Sequence, residues 1–106
     1  MVKIKGEGWV GSLDLTNGQA EGRINGYSWL LKLKPDRWSF EIAEDQSIES
    51  EALPLVGFGC SGWLSESKRE NEPSECVVTE YLEQKFSEFA ESKLKFYPSV
   101  SCNCSD

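Results

Sequence analysis

Glycine, cysteine and lysine supply the spacings in this 106-residue chain that come nearest to chemical motifs. Gly6-Glu7-Gly8-Trp9-Val10-Gly11 and Gly57-Phe58-Gly59-Cys60-Ser61-Gly62 both satisfy G-x-G-x-x-G. In a nucleotide-binding protein such glycines let backbone N–H groups approach a phosphate where a helix begins behind a parallel strand. Neither copy has the helix. Residues 63–71 are too short and polar to supply it, and the 44 residues after Gly62 are too few for a dinucleotide-binding half. Both copies carry a leucine seven residues after the first glycine, Leu13 and Leu64. They read better as glycine-rich strands that bend sharply or that another segment crosses closely.

The chain has no histidine. That removes Ser-His and Cys-His nucleophiles and the commonest metal ligand. The cysteines, Cys60, Cys76, Cys102 and Cys104, do not form the two close pairs of a zinc site. Cys60 and Cys76 have apolar neighbours and are expected in the core. Cys102 and Cys104, one residue apart in a polar tail, have the spacing for a soft metal or a strained disulfide, with an inert tail the plainer reading. Carboxylates are abundant, but their spacing shows no pair fit for acid–base work. No catalytic residue, metal ligand or cofactor is therefore assigned.

Four residues stand out as candidates for binding a ligand or partner. Lys85 falls near the middle of an apolar helical stripe, beside Tyr81. A lysine there either finds an anion or lays its methylenes on the core and lifts its amine to water. Trp9 and Trp63 each lie in a glycine-rich strand and are candidates to line a pocket or contact patch, with core filling as the alternative. Tyr81 completes that set.

The element that must position these residues is the one stretch with helical period, residues 74–95. Val78, Leu82, Phe86 and Phe89 recur on one side at about 100° per residue. Tyr81 and Ala90 widen that side, while Glu80, Glu83 and Glu91 lie opposite as an acidic face. Ser74 is the expected N-cap, with Glu75 in the first turn. Lys93 is a second, milder intruder near the stripe. A stripe that wide must cover something apolar.

The covered layer is expected to be a sheet. Val2, Ile4 and Val10 alternate with Lys3, Lys5 and Trp9 as a first strand, which shifts phase past Gly11. Asn17-Gly18 and Asn25-Gly26 are the residue pairs that type I′ turns require. Between and after them lie strands at 19–24 and 27–34. Pro35-Asp36 makes a third tight turn. It leads to the cleanest alternation in the chain, Trp38, Phe40 and Ile42 against Arg37, Ser39 and Glu41. Residues 43–54 read as an acidic loop with a helical turn near Ile48, 55–64 as a fifth strand, and 65–73 as a polar connection.

The fold class is thus α+β: an antiparallel meander of four to five strands, with one long C-terminal helix packed across one face. Residues 1–98 form a single domain and 99–106 a polar, cysteine-containing tail. The core prediction is that Val78, Leu82, Phe86 and Phe89 are covered by Trp29, Trp38 and Phe40.

The net charge of −7 is unevenly placed. Residues 1–43 carry five acids and six bases, whereas 44–91 carry twelve acids and three bases. So acidic a chain disfavours phosphate, hence nucleic acid, and suits a basic protein partner or self-association. No long apolar run suggests a membrane span, and the first residues lack the apolar core of a signal peptide. The expectation is a cytoplasmic setting with reduced thiols. The functional expectation is a non-catalytic protein-interaction or regulatory module. Its alternative is a small-ligand-binding module with a pocket between a curved sheet and the helix, lined by Trp9, Trp63, Tyr81 and Lys85.

Overall fold

Alternation in the first 43 residues makes strands with one face toward the core. The computed structural model describes residues 2–50, 61–68 and 72–97. Among these residues, seven strands pair in chain order into one antiparallel sheet. They are β1 (Val2–Gly6), β2 (Trp9–Asp14), β3 (Gln19–Ile24), β4 (Tyr27–Leu33), β5 (Arg37–Ala43), β6 (Gly62–Lys68) and β7 (Phe96–Tyr97). One helix, α1 (Glu75–Ala90), lies between β6 and β7 in sequence. The expected four to five strands become seven, and the expected long helix has 16 residues.

The extra strands have identifiable causes. The expected first strand is a hairpin, because Glu7-Gly8 turns the chain and pairs Gly6 with Trp9. Gly8 takes φ +83°, a conformation open to glycine at little cost. This turn also inverts the expected phase of β2. Trp9 is buried and Val10 is exposed, because cross-strand partners share a face and Trp9 stands opposite Ile24. The polar run 65–68 continues β6 instead of forming a loop, since it pairs with Arg37–Phe40 of β5. The earlier part of the expected fifth strand, residues 55–60, and the tail 99–106 lie outside the described residues.

Two of the three anticipated turns keep their form. Asn25 and Gly26 both have positive φ, 50° and 87°, as a type I′ turn requires. At Pro35-Asp36, the Lys34 N–H donates to the Arg37 carbonyl. The Asn17-Gly18 turn differs. Only Gly18 of the pair has positive φ. The Asp14 carboxylate instead organises a longer loop by accepting from Thr16 N, Asn17 N and Asn17 Nδ2 at 3.1, 3.2 and 2.6 Å.

The face of the sheet under α1 carries continuous rows. One runs Ile4, Gly11, Gly22, Trp29, Ile42, Trp63, Phe96 across all seven strands. Of the two glycines in it, Gly11 leaves room for the Trp29 indole, and Gly22 for the close approach of the β2 backbone at Val10 and Gly11. A Cβ on Gly11 would stand 2.4 Å from Trp29 Cζ2 and 2.5 Å from the Glu21 carbonyl oxygen. Gly6 likewise seats the Trp9 ring, which would lie 2.2 Å from an added Cβ. The first G-x-G-x-x-G stretch is therefore a hairpin shaped around two tryptophans.

The helix begins as its sequence implies. Ser74 Oγ accepts from Val77 N at 3.2 Å, and Glu75 occupies the first turn. It stops after Ala90, short of the expected 95. Ser92 adopts φ +60°, Ser92 N donates to Phe89 O, and Lys93 N donates to Glu88 O. This is a Schellman termination with serine where glycine is usual. Lys93 therefore lies beyond the helix, exposed and paired with Glu91 at 3.1 Å. Cys76 is exposed, against the expectation of a core residue. It stands about 200° around the helix from Val78, away from the buried stripe.

Val78, Leu82 and Phe86 are buried on the sheet. Phe86 meets Trp9, Trp29 and Phe40 at centroid distances of 5.0, 5.4 and 5.5 Å. Tyr81 stacks edge-on against Trp38 at 4.9 Å, and Phe89 meets Trp63 at 4.8 Å. The predicted meeting of the helical stripe with the aromatic row is present at Phe86, which lies against Trp29 and Phe40, whereas Phe89 is only partly buried and meets Tyr27 and Trp63 instead. Among the described residues, no helix is long and apolar enough to cross a membrane.

Candidate functional site

Alternation along β5 sends Trp38, Phe40 and Ile42 toward α1, so Ser39, Glu41 and Ala43 face the side of the sheet away from α1. There Glu41 is only 7% exposed. It stands between cross-strand partners Leu30 of β4 and Leu64 of β6. Leu30 and Ala43 are buried, and Ile48, Leu64 and Tyr97 pack on them as a second, smaller apolar cluster. The next row outward, Lys32, Ser39 and Glu66, is polar. A cavity of about 180 Å3 spans the two rows, lined by Leu30, Lys32, Lys34, Ser39, Glu41, Leu64 and Glu66.

The electrostatics of that cavity derive from its geometry. Glu41 Oε2 is buried and has no hydrogen-bond partner among the described residues. Burial pushes the carboxyl up from 4.5 to about 7, against the opposing pull of Lys32 and Lys34, with Glu66 adding to the rise. Glu66 itself is held by Arg37, whose Nε lies 3.2 Å from Glu66 Oε2. Arg37 also reaches Asp36 at 3.7 Å. Lys32 and Lys34 make no ion pair with another described residue. The site thus combines a neutralisable carboxyl, an apolar floor and two ammonium groups on its rim.

The loop after β5 covers the neighbouring part of the same face. Ser28 Oγ donates to the Ile48 carbonyl, which accounts for a fully buried serine. Ser50 Oγ donates to Gly22 O at 3.0 Å. Arg23 donates to Gly26 O, Gln46 O and Glu49 Oε2 at 2.8, 3.0 and 3.0 Å. Beside this strap, a wide depression of about 580 Å3 lies over Lys3, Ser12, Glu21 and Arg23. Its polar groups are exposed and partly paired, so it lacks the desolvated group that distinguishes the Glu41 cavity.

The residues singled out from sequence lie on the other side, around α1. Trp9 is 4% exposed beneath Phe86 and edge-on to Trp29. Trp63 is half-buried among Tyr27, Phe89 and Phe96. Tyr81 and Lys85 do come together, with Lys85 Nζ 5.4 Å from the Tyr81 ring centroid. Lys85 has 11% of its side chain exposed, and its amine finds Glu88 Oε1 at 3.3 Å. Tyr81 Oη pairs with Ser67 Oγ at 2.9 Å, and burial raises the phenol's pKa despite that bond. The four residues do not converge on one chamber. Trp29, Phe40, Leu82 and Phe86 fill the space between helix and sheet. A shallow cleft of about 480 Å3 opens at its margin, where Glu83, Phe86, Ser87 and Ala90 face Trp9 and Asn25.

Glu80, Glu83 and Glu91 are all exposed, Glu80 and Glu83 on α1, with Glu83 at the marginal cleft, and Glu91 at its C-cap. Among the described residues, no group of three or more cysteines and carboxylates is placed to hold a metal ion. Cys60, Cys102 and Cys104 fall outside those residues.

Sequence reasoning passed over Glu41 because it sits on the polar side of a clean alternation. The available signal was Leu30, an apolar residue on the supposedly wet face of β4. Its cross-strand partner on β5 is Glu41, so whatever buries Leu30 desolvates Glu41 as well. Compared with protein-family models, with characterised proteins and with solved structures, the chain matches none.

Proposed function

We propose that this chain is a non-catalytic binding module that receives a small ligand on the open face of its sheet, in the cavity floored by Glu41. One observation carries the reading: a carboxyl that is 7% exposed, lacks a partner at Oε2 among the described residues and lines a cavity. A buried polar atom without a hydrogen bond costs about 1–3 kcal/mol, and a ligand able to supply the bond recovers it. The site differs from the anticipated one between sheet and helix, where aromatic side chains occupy the space.

A methyl-labelled sample screened with small polar fragments tests the reading. Ligands are expected to shift the Leu30 and Leu64 methyl signals, and Ser39→Phe, which fills the cavity, should remove the response. Shifts confined to the margin beside Phe86 and Ala90, or none at all, would sink it.

A second reading has its own support in the segregation of charge. Helix α1 bears Glu75, Glu80, Glu83 and Glu88 against a single Lys85. The face of the sheet away from α1 carries Lys3, Lys5, Arg23, Lys32, Arg37 and Lys68, six bases against the acids Asp14, Glu21, Glu41 and Glu66 of the same face. Opposed faces of this kind suit capture of a basic protein surface, including the open face of a second copy. Sedimentation at low ionic strength would then show association that Glu80→Lys, Glu83→Lys and Glu91→Lys together abolish. A monomer at every concentration removes the self-association version.

A further inference from the structure

We infer that the Glu41 cavity is selective for a small monocarboxylate anion, whose oxygen accepts a hydrogen bond from the Glu41 carboxyl while Lys32 and Lys34 balance its charge and Leu30 and Leu64 hold its short hydrocarbon part. This inference rests on the small-ligand reading of the protein and specifies the chemistry of that same site.

Three features narrow the class. First, the rim charge selects an anion. Lys32 and Lys34 have no ion-pair partner among the described residues, whereas the nearest acid, Glu66, is neutralised by Arg37 at 3.2 Å. A cationic amine would meet two ammonium groups before it reached Glu41. Second, the floor selects a hydrogen-bond acceptor. Glu41 Oε2 is unpartnered among the described residues, and a carboxyl that holds its proton is a donor. A carboxyl donating to a carboxylate is a charge-assisted bond, stronger than one between neutral groups. Third, the space selects small size. About 180 Å3 is well below the roughly 300–1,000 Å3 of drug-sized sites, so it suits a carboxylate with a few carbons. Phosphate or sulfate meets the charge requirement but leaves Leu30 and Leu64 without an apolar partner.

Binding of this kind is coupled to a proton. The charged and titratable groups on Glu41's side of the sheet are Lys32 from β4, Lys34 from the turn after it, Glu66 and Lys68 from β6, Arg37 from its own strand and Tyr97 from β7. Among them Glu66 is paired with Arg37. Ionised Glu41 would repel the ligand, so the complex takes up a proton and weakens as pH rises.

The test tracks methyl and amide signals of the isotope-labelled chain with sodium butyrate, 1-butanol and butylamine as separate probes. Butyrate is expected to shift Leu30, Leu64 and Ser39, with affinity falling about tenfold from about pH 6 to about pH 8. Glu41→Gln keeps a donor that cannot ionise. It should bind butyrate at both pH values with the tenfold difference gone. The double change Lys32→Ala with Lys34→Ala should weaken butyrate and leave butanol unaffected. The same spectra show whether each variant is folded. Butanol or butylamine bound more tightly than butyrate at these residues would overturn the carboxylate assignment and leave the site standing. So would butyrate affinity that ignores pH in the unsubstituted chain. No response at Leu30 and Leu64 to any probe would overturn both the assignment and the site.

Discussion

Glu41 shows how little a residue's type says about its state. On β5 it alternates with Trp38, Phe40 and Ile42 in a pattern that ordinarily leaves the charged residue in water. Its burial comes from neighbours on other strands, Leu30 and Leu64, which a reading along the chain does not place beside it. The consequence is a pH-dependent stability of definite sign. The folded protein holds the Glu41 proton up to about 7, while the unfolded chain releases it near 4.5. The stabilisation is complete below the unfolded value and is lost as pH rises through the folded one. That shift corresponds to about 3 kcal/mol lost between about pH 4.5 and about pH 8. Denaturant melts across that range should show the loss, and Glu41→Gln should flatten it. A stability that rises over the window would contradict the assignment. Asp14 does not confuse the measurement. Its bonds from Asn17 lower its pKa, so its contribution is lost only in more acidic solution.

At the scale of elements, the helix and its N-cap were open to reading because their signals are local. Ser74 precedes an apolar stripe of period 3.6, and Val78, Leu82 and Phe86 bury as that period demands. Phe86→Ala should cost about 3–5 kcal/mol, since it removes a ring shared by Trp9, Trp29 and Phe40. Ser74→Ala should cost about 1 kcal/mol through the lost cap. Equal effects from the two would mean that α1 is not packed as described. What remained hidden is non-local or atypical. The helix ends on Ser92 in a left-handed conformation, where sequence offers no glycine to announce it. Glu7-Gly8 is a turn signal concealed within a motif better known for phosphate, and overlooking it merged two strands into one. The glycines of that hairpin leave room for rings, so Gly11→Ala forces Trp29 or β3 to shift and should cost about 1–3 kcal/mol by overpacking. A variant as stable as the parent would show that the row across the sheet has slack.

For the molecule as a whole, one face of the sheet belongs to the core and the other carries the candidate site. The covered face joins seven strands to one helix through a nearly continuous set of aromatic contacts, and it leaves Trp9 and Trp63 structural surroundings. The face away from α1 carries bases and acids together, while the exposed charged residues of the helix are acidic. Reversing Glu80, Glu83 and Glu91 should therefore leave the melting temperature nearly unchanged, because all three are exposed and surface changes of this kind are usually worth within about 0.5 kcal/mol. The class of fold was legible because alternation, turns and one helical stripe are properties of short segments. The location of the candidate site was not, because it arises where three strands set a carboxyl between two leucines.

The most direct test of that arrangement is a side-chain 13C titration of the Glu41 carboxyl in the full chain. The account predicts a midpoint near 7 that moves upward when butyrate is added. A midpoint in the ordinary range near 4.5, unmoved by butyrate, would place Glu41 in water and contradict it.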